Sequence, residues 1–300
     1  MGTRWSALAV VDSTDRQAEL TRGVQAALDA VVAEMSQWEP DSDISRFNRA
    51  PAGTWHAVPA GFSTVMSEAL AIAELTDGAF DPTVGKASEL WGFGSKAIAD
   101  LPDGDALKDA LAHSGWRKLV FDEQTSRLRQ PGGLALDFSG IAKGFGADCA
   151  AEALRQMGAH AFLVDVGGEL VGQGLKPGMQ PWWVELENPP GATLAPFRVA
   201  LHGLAIATSG DYRRFHDLPG KKLSHNLDPH TATPLENGIA SVSVLASTAM
   251  RADALATALT VMGSGARTFA DRFGIAARII RRDGNDFAEE LTKTLSAMLD

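Results

Sequence analysis

Two short hairpins constrain the fold of this chain more than any other feature of its sequence. Residues 161–166 and 169–172 read as strands joined by a Gly-Gly pair, and residues 119–121 and 127–129 read as a second hairpin. Such short connections join antiparallel strands, whereas parallel neighbours need a long crossover. The sequence therefore predicts an α+β fold with antiparallel pairing rather than a doubly wound parallel sheet. The dinucleotide fingerprint GxGxxG is also absent after the first predicted strand.

Apolar spacing and turn residues predict further helices and strands along the whole chain. The predicted helices cover residues 16–38, 62–75, 101–112 and 140–157, with a last helix from Asp286 onward. The additional predicted strands cover residues 5–11, 182–187, 197–207, 239–245 and 276–280. Residues 188–196, rich in Pro and Gly, form the best internal break, but they are too few to establish a domain boundary.

The composition is that of an ordinary globular protein and excludes several classes of function. The chain has 300 residues, of which 45% are hydrophobic and 21% charged, and this length can bury a large core. Its formal net charge of −10 argues against a duplex nucleic-acid partner, because phosphate binding requires a basic surface. The single cysteine, Cys149, excludes an internal disulfide and a multi-cysteine metal site.

No segment of the sequence reads as a membrane span or as a signal peptide. The longest apolar run, residues 242–262, is interrupted by Arg251 and Asp253, whereas a helix that crosses a bilayer needs roughly 20 apolar residues. The amino end, MGTRWSALAVVDSTD, lacks a basic region followed by a sustained apolar stretch. We therefore expect a cytoplasmic protein, or a periplasmic one if a leader has been trimmed from the sequence.

Residues 241–263, SVSVLASTAMRADALATALTVMG, read as a strand that runs into a helix. Asp253 and Thr257 lie one turn apart on that helix, so their side chains share a face. A carboxylate among so many apolar residues is costly to bury unless a cation neutralises it, and oxygen ligands of this kind suit magnesium or calcium. The alternative is an amphipathic helix whose narrow polar stripe, Asp253, Thr257 and Thr260, faces water.

The segment TDGAFDPTVG, residues 76–85, combines Gly, Asp and Pro in a way that fixes a tight polar turn. The pair Asp81-Pro82 places a carboxylate beside a rigid stretch of backbone. The turn is therefore either part of a ligand site or only the exit of the preceding helix.

The segment LDFSGIAKGFGAD, residues 136–148, places Asp137 just before a glycine-rich helix start. Its glycines allow close approach by a ligand, and backbone N–H groups together with Lys143 would attract a phosphate group. The alternative is that Asp137 or Ser139 only caps the helix.

His225 lies in a turn-rich context, with Asp228 and Pro229 close behind it in SHNLDPHT. A histidine can act as a general base near neutral pH, and a neighbouring carboxylate could orient it. The alternative is an ordinary surface histidine. A serine hydrolase or a zinc enzyme has little support, because no GxSxG motif surrounds Ser209 and no second histidine lies at metal-binding spacing from His225.

Taken in order, eight motifs resemble those of the ApbE-type FAD:protein FMN transferases. They are MGT, SQWEPDSDISRFN, TDGAFDPTVG with WGFG, LDFSGIAKGFGAD, LVDVGGEL, ATSGDYRRF, SHNLDPHT and RADALATAL. The resemblance implies one α+β domain over residues 1–300, with two closely joined lobes of mainly antiparallel sheet and packed helices, and with FAD and magnesium bound between the lobes. It also implies cleavage of the FAD pyrophosphate, transfer of FMN to a Thr or Ser hydroxyl of an acceptor protein through a phosphoester bond, and departure of AMP.

The resemblance assigns roles to individual residues of this chain. It implies that Asp253, Thr257 and a backbone oxygen near Gly140 bind magnesium, and that His225, with Asp228 close by, deprotonates the acceptor hydroxyl. The residues that it assigns to FAD are Met1, Trp38, Ala79, Phe80, Asp81, Asp137, Lys143 and Leu227. Trp38 would stack on a flat ring.

The chain departs from the family pattern after the histidine, where Ala232 replaces a glycine. Two alternatives to FMN transfer remain open: a magnesium-dependent FAD pyrophosphatase that gives FMN and AMP, and a non-catalytic flavin-binding or assembly protein. FAD would be a substrate, Mg²⁺ the cofactor, and the acceptor a redox-complex subunit or flavoprotein. No nucleic acid is expected as a partner.

Overall fold

A computed structural model describes residues 2–95, 101–212, 215–218 and 221–299, with the backbone alone for 215–218 and 221–222. The chain divides into two compact units, each assembled from separate stretches of sequence. The first unit comprises Met1–Ala30, Ile141–Arg213 and Asn237–Asp300, and the second comprises Val31–Gly140 and Arg214–Glu236. The single domain of two lobes, with FAD and metal between them, stays a prediction.

The described helices and strands follow one another through both units. The helices are α1 (Gln17–Met35), α2 (Asp43–Asn48), α3 (Ala60–Leu75), α4 (Gly85–Leu90), α5 (Gly104–Ala112), α6 (Ala142–Gln156), α7 (Ala249–Met262), α8 (Ala266–Arg272) and α9 (Lys293–Ala297). The strands are β1 (Trp5–Ala9), β2 (Trp55–Ala57), β3 (Val120–Asp122), β4 (Arg127–Arg129), β5 (Phe162–Val166), β6 (Glu169–Gln173), β7 (Trp182–Leu186), β8 (Phe197–Leu201), β9 (Leu204–Gly210), β10 (Phe215–Leu218), β11 (Lys221–Ser224), β12 (Leu227–Asp228), β13 (Thr233–Pro234), β14 (Ile239–Ala246), β15 (Ala276–Asp283) and β16 (Asp286–Leu291). Among these helices, none combines the length and the apolar character that crossing a membrane requires.

The first unit is built on a seven-stranded sheet in the order β1-β5-β6-β9-β14-β15-β16. Every neighbouring pair in it is antiparallel. One apolar core joins Leu20, Val24 and Leu28 of α1 to α6 and to strands of the sheet. A second core includes side chains of the β7–β8 hairpin. Antiparallel pairing with packed helices confirms the predicted α+β class.

The strand and helix predicted over residues 241–263 are both present, as β14 and α7. β14 is buried along nearly its whole length, as expected for a central strand covered on both faces. α7 begins after Thr248, whose side-chain oxygen accepts the Arg251 N–H at 3.3 Å, so a standard N-cap fixes the start of the helix.

The second unit contains α3 and a three-stranded sheet in the order β2-β4-β3. α3 ends as the sequence predicts, at Asp77-Gly78: the Gly78 N–H donates to the Ala73 carbonyl at 2.8 Å, and Gly78 has φ +84°. Asp77 is left-handed as well, with φ +49°, and its N–H donates to the Glu74 carbonyl at 3.3 Å, so the N–H groups of both residues satisfy carbonyls at the end of the helix. The tight turn over residues 79–85 follows directly after Gly78.

Two predictions for the carboxyl-terminal half are wrong. Residues 286–291 form strand β16, not a helix, because they pair with β15 along its length; helix follows only in α9. Residues 197–207 hold two strands, β8 and β9, separated by a turn at Gly203 with φ +68°. Residues 188–196 connect β7 and β8 inside the first unit.

Candidate active-site residues

Asp253 does not face water, so the amphipathic alternative for α7 is wrong. Asp253 is 4% exposed and Thr260 is 2% exposed. The Thr260 hydroxyl donates to the Ala256 carbonyl at 2.8 Å, which satisfies it within the helix. Thr257, one turn after Asp253, is half-buried. The carboxylate therefore requires compensation inside the protein.

The start of α6 supplies part of that compensation. The Gly144 N–H donates to Asp253 Oδ2 at 3.0 Å, and Lys143 Nζ lies 3.5 Å from Asp253 Oδ1. Gly144 must be a glycine, because a Cβ there would lie 2.2 Å from the Ala249 carbonyl oxygen. The close approach of α6 to α7 thus brings Lys143 beside the predicted metal ligand.

Glu169 is a third member of this cluster, and it was not among the site residues predicted from the sequence. Lys143 Nζ also forms a short ion pair with Glu169 Oε1. Glu169 is 1% exposed, and its other oxygen, Oε2, is buried without a hydrogen-bond partner in the described part of the chain. The signal in the sequence is its place in VDVGGEL, where it directly follows the Gly-Gly turn and opens the buried strand β6.

The charges in this cluster do not balance. Burial raises the pKa of both Asp253 and Glu169. Burial alone would lower the pKa of Lys143, but the two carboxylates more than offset it and raise that pKa. One ammonium faces two carboxylates, so one negative charge stays uncompensated when all three groups are ionised. A hard divalent cation suits such oxygen donors.

The residues present therefore fit a magnesium ion, provided that water and substrate phosphates supply its remaining ligands. Among the described residues, no three His, Cys, Asp or Glu side chains are grouped so that they could hold a metal. Magnesium commonly keeps few protein carboxylates and takes further oxygens from water and from substrate phosphates. Asp253 with the Thr257 hydroxyl would meet that pattern.

Asp148 fixes the start of α7 and was also missed from the sequence. Its two carboxylate oxygens accept the N–H groups of Ala249 at 2.8 Å and Met250 at 2.9 Å. Burial raises the pKa of Asp148 to about 6, although these hydrogen bonds act in the opposite direction. A carboxylate at a helix start is favourable because it binds free N–H groups there.

In the second unit, Asp81 locks the turn that follows α3. Its Oδ1 accepts the Thr83 N–H at 2.8 Å and the Thr83 hydroxyl at 2.6 Å, and its Oδ2 accepts the Trp116 N–H at 3.0 Å. Burial raises the pKa of Asp81, and the hydrogen bonds from Thr83 counteract that effect. Ala79 and Phe80 are buried beside it. The Asp81 carboxylate thus holds the turn in place, whatever binds there.

Asp137 lies against the same turn. Its N–H donates to the Pro82 carbonyl at 2.8 Å, and its Oδ1 accepts the Ser139 N–H at 2.8 Å. The alternative that Asp137 or Ser139 caps the next helix is wrong, because α6 begins after Ile141 without a side-chain cap. Two of the predicted flavin-binding motifs therefore meet within this unit.

The WGFG segment, residues 91–94, connects Trp38 and His225 within the second unit. Trp38 donates its indole N–H to the Gly94 carbonyl at 3.0 Å, and its side chain remains 42% exposed. The rings of Phe93 and His225 meet edge to face, with centroids 6.4 Å apart. An anchored, exposed indole offers a face on which a flat ring can stack.

Ala232 occupies a position that favours glycine. Its φ is +55°, its side chain is buried, and its carbonyl accepts the Trp91 indole N–H at 2.7 Å.

Asp228 Oδ1 accepts the His230 N–H at 2.8 Å and lies 3.2 Å from His230 Nδ1. The pairing of Asp228 with His225 stays a prediction.

The remaining predicted residues divide between the units. Leu227 is buried among the apolar side chains around Trp91, and Gly140 belongs to the second unit. Lys143, Asp253 and Thr257 belong to the first. Met1 lies outside the described residues.

A family model, related sequences and solved structures all identify the same group of proteins. The model of the ApbE family matches residues 1–279. A FAD:protein FMN transferase of Haemophilus influenzae is 36% identical over 282 residues, which cover 91% of this chain and 81% of that protein. One of Vibrio cholerae is 38% identical over 256 residues, which cover 85% and 75%.

Solved structures resemble the whole chain. The apo form of the flavinyl transferase ApbE of Pseudomonas stutzeri has a TM-score of 0.88 at 32% identity, covering 98% of this chain and 96% of that chain. The flavin transferase ApbE from Vibrio cholerae has a TM-score of 0.87 at 33% identity, covering 99% and 96%. These similarities confirm the α+β fold predicted from the hairpins.

Proposed function

This chain belongs to the ApbE family, and we propose that it transfers the FMN half of FAD to a Thr or Ser hydroxyl of an acceptor protein. The names of its relatives support transfer of FMN from FAD to a protein. The structural observation that carries the proposal is the buried carboxylate of Asp253 beside Lys143. A charge arrangement of this kind suits a pyrophosphate bound with a divalent cation.

The reaction exchanges the phosphoanhydride linkage of the FAD pyrophosphate for a phosphoester linkage to the acceptor hydroxyl. The acceptor hydroxyl oxygen attacks the phosphorus of the FMN half, the bond from that phosphorus to the bridging oxygen breaks, and AMP departs with the bridging oxygen. No electrons are transferred, so the flavin acts as a substrate rather than as a redox carrier. Magnesium held by Asp253, Thr257 and a backbone oxygen near Gly140 would neutralise the pyrophosphate and stabilise the leaving phosphate.

The side chains of this chain have separate tasks in the proposal. The Lys143 ammonium would contribute positive charge toward the pyrophosphate, and the exposed face of Trp38 would stack on a ring of FAD. The turn held by Asp81, with Asp137 against it, would present a rigid surface to the nucleotide. Met1 and Leu227 complete the proposed FAD contacts.

His225 is the proposed general base, with Asp228 nearby in sequence. A threonine or serine hydroxyl is a weak nucleophile, so a base that takes its proton during attack lowers the barrier. The contact with Phe93 restrains the imidazole ring, which is half-buried. A restrained ring is better suited to this task than a freely rotating surface histidine.

The fate of FMN tests the proposal. The protein is incubated with FAD, magnesium chloride and a candidate acceptor, such as a redox-complex subunit, and the intact acceptor is weighed by mass spectrometry. Transfer adds one FMN less one water to the acceptor and releases AMP in equal amount. Free FMN with an unchanged acceptor would indicate the pyrophosphatase instead, and unchanged FAD with every candidate acceptor would indicate a binding protein.

A further inference from the structure

Lys143 lies near two carboxylates, and its ammonium group is closer to one of them than to the other. Its Nζ forms a short ion pair with Glu169 Oε1 but lies 3.5 Å from Asp253 Oδ1. The side chain of Lys143 is 29% exposed, whereas those of Glu169 and Asp253 are nearly inaccessible. The partly exposed member of the cluster is therefore the lysine, and both carboxylates are buried.

Glu169 is fixed by the strand that carries it. It is the first residue of β6, directly after the turn at Gly167 and Gly168, and it pairs in register with Val166 of β5. A Cβ at Gly167 would lie 2.4 Å from the Thr3 hydroxyl oxygen, so this turn tolerates little change. The Glu169 carboxylate consequently meets Lys143 from a rigid support.

An ion pair kept only for stability would not leave a buried carboxylate oxygen unsatisfied, because that atom has lost its hydration. Glu169 Oε2 is such an atom in the described part of the chain. The free-energy cost of this unsatisfied oxygen is explained if the negative charge of Glu169 is needed to hold the Lys143 ammonium group in place. Without it, the ammonium would move fully onto Asp253, which already accepts the Gly144 N–H.

We propose that Glu169 is a positioning residue that holds the Lys143 ammonium and so keeps the Asp253 carboxylate available for a divalent cation. The inference rests on the proposed function, because it takes Asp253 as the metal ligand. Glu169 acts here through Lys143 and does not touch the metal. Outer groups of this kind typically change metal affinity by about 10- to 100-fold when they are removed.

The test is a calorimetric titration of magnesium chloride into the purified protein without FAD, for the wild type and Glu169→Gln. Glutamine keeps the shape of the side chain and removes its charge. We expect the magnesium dissociation constant to rise by roughly 10- to 100-fold. The matched control is Glu185→Gln, whose carboxylate pairs with Arg198 at an exposed site and should bind magnesium as the wild type does.

A double variant separates positioning from simple structural support. In Glu169→Gln with Lys143→Met, no ammonium remains to occupy Asp253, so magnesium affinity should recover most of the loss. The gain in affinity from Lys143→Met should be larger in Glu169→Gln than in the wild type, whereas a purely structural role for Glu169 predicts the same gain in both, because the lost ammonium lies beside Asp253 in both. The inference is overturned if Glu169→Gln binds magnesium within twofold of the wild type, or if the double variant binds as weakly as Glu169→Gln.

The same titration distinguishes failure of the inference from failure of the proposed function. A wild-type protein that binds no magnesium in this titration overturns the inference, whereas the metal assignment falls only if FMN transfer also proceeds without magnesium. A wild type that binds magnesium, beside a Glu169→Gln variant that binds it equally well, overturns the inference alone. Thermal unfolding of each variant in the absence of metal confirms that the protein titrated is folded.

Discussion

Individual carboxylates in this protein differ in how their burial is compensated. Asp148 and Asp81 accept hydrogen bonds from backbone N–H groups near them, which is sufficient for a structural task. Asp253 and Glu169 instead share one lysine, so their charge is only partly neutralised. This incomplete neutralisation distinguishes Asp253, the proposed metal ligand, and Glu169 from the structural carboxylates Asp148 and Asp81.

His225 is the residue whose loss should affect chemistry and little else. His225→Ala should slow FMN transfer by roughly 10² to 10⁴, the usual contribution of a general base. FAD affinity should change little, because the imidazole is not needed to bind the pyrophosphate. The measurement is the transfer rate together with FAD binding, and His160→Ala, at an exposed position, is the control. A loss of rate that only follows a loss of FAD binding would exclude His225 as the base.

Ala232 carries a backbone strain that glycine would relieve. A left-handed conformation costs an L-residue about 1–2 kcal/mol, while removal of the buried methyl costs about 0.8 kcal/mol. Ala232→Gly should therefore remain within about 1 kcal/mol of the wild type in urea unfolding. Ala232→Val should lose more than about 1 kcal/mol, because a branched side chain fits this φ poorly. Equal stability of the valine variant would contradict the positive φ.

Among the elements, β16 shows how tertiary pairing overrides local preference. Residues such as Ala288, Glu289 and Glu290 favour a helix in isolation, yet they pair with β15 at the edge of the sheet. Arg278 of β15 is 1% exposed and donates to Glu289 Oε1 and to Asn188 Oδ1, each at 2.6 Å. One buried guanidinium thus holds both the edge strand and the loop after β7.

Arg278 should accordingly matter far more for stability than an exposed arginine. Arg278→Ala should lower the free energy of unfolding by about 3 kcal/mol, because it empties a buried site and leaves the polar groups around it unpaired. Arg198→Ala is the matched control: Arg198 pairs with Glu185 at 2.9 Å but is 65% exposed, so its loss should cost less than about 1 kcal/mol. Equal losses in urea unfolding would show that Arg278 does not hold these elements.

At the scale of the whole molecule, the sequence predicted what local pattern determines. The Gly-Gly hairpin, the end of α3 at Asp77-Gly78 and the strand leading into α7 all follow from turn residues and periodicity. The partners of Asp253 could not be predicted in this way. Lys143 is separated from Glu169 by 26 residues and from Asp253 by 110, and only packing of α6 against α7 and the sheet brings them together.

The family resemblance identified some of the residues that local sequence pattern could not. It assigned Asp253 and Lys143 to ligands but not to each other, and it assigned no role to Glu169. The charge balance of the cluster becomes visible only when burial and distances are known, since each residue alone has an ordinary structural explanation. The assignments of FAD and magnesium to individual residues stay predictions.

The proposed binding of magnesium by Asp253 is best tested by the dependence of FMN transfer on magnesium in Asp253→Asn. Asparagine keeps an oxygen that can accept the Gly144 N–H but removes the charge proposed to bind the metal. At limiting magnesium, the rate of acceptor labelling should fall by at least about 100-fold and should recover partly as magnesium is raised. Asp105→Asn, at a fully exposed carboxylate, should behave as the wild type. An Asp253→Asn variant with the wild-type rate and the wild-type magnesium requirement would show that the charge of Asp253 does not bind the metal.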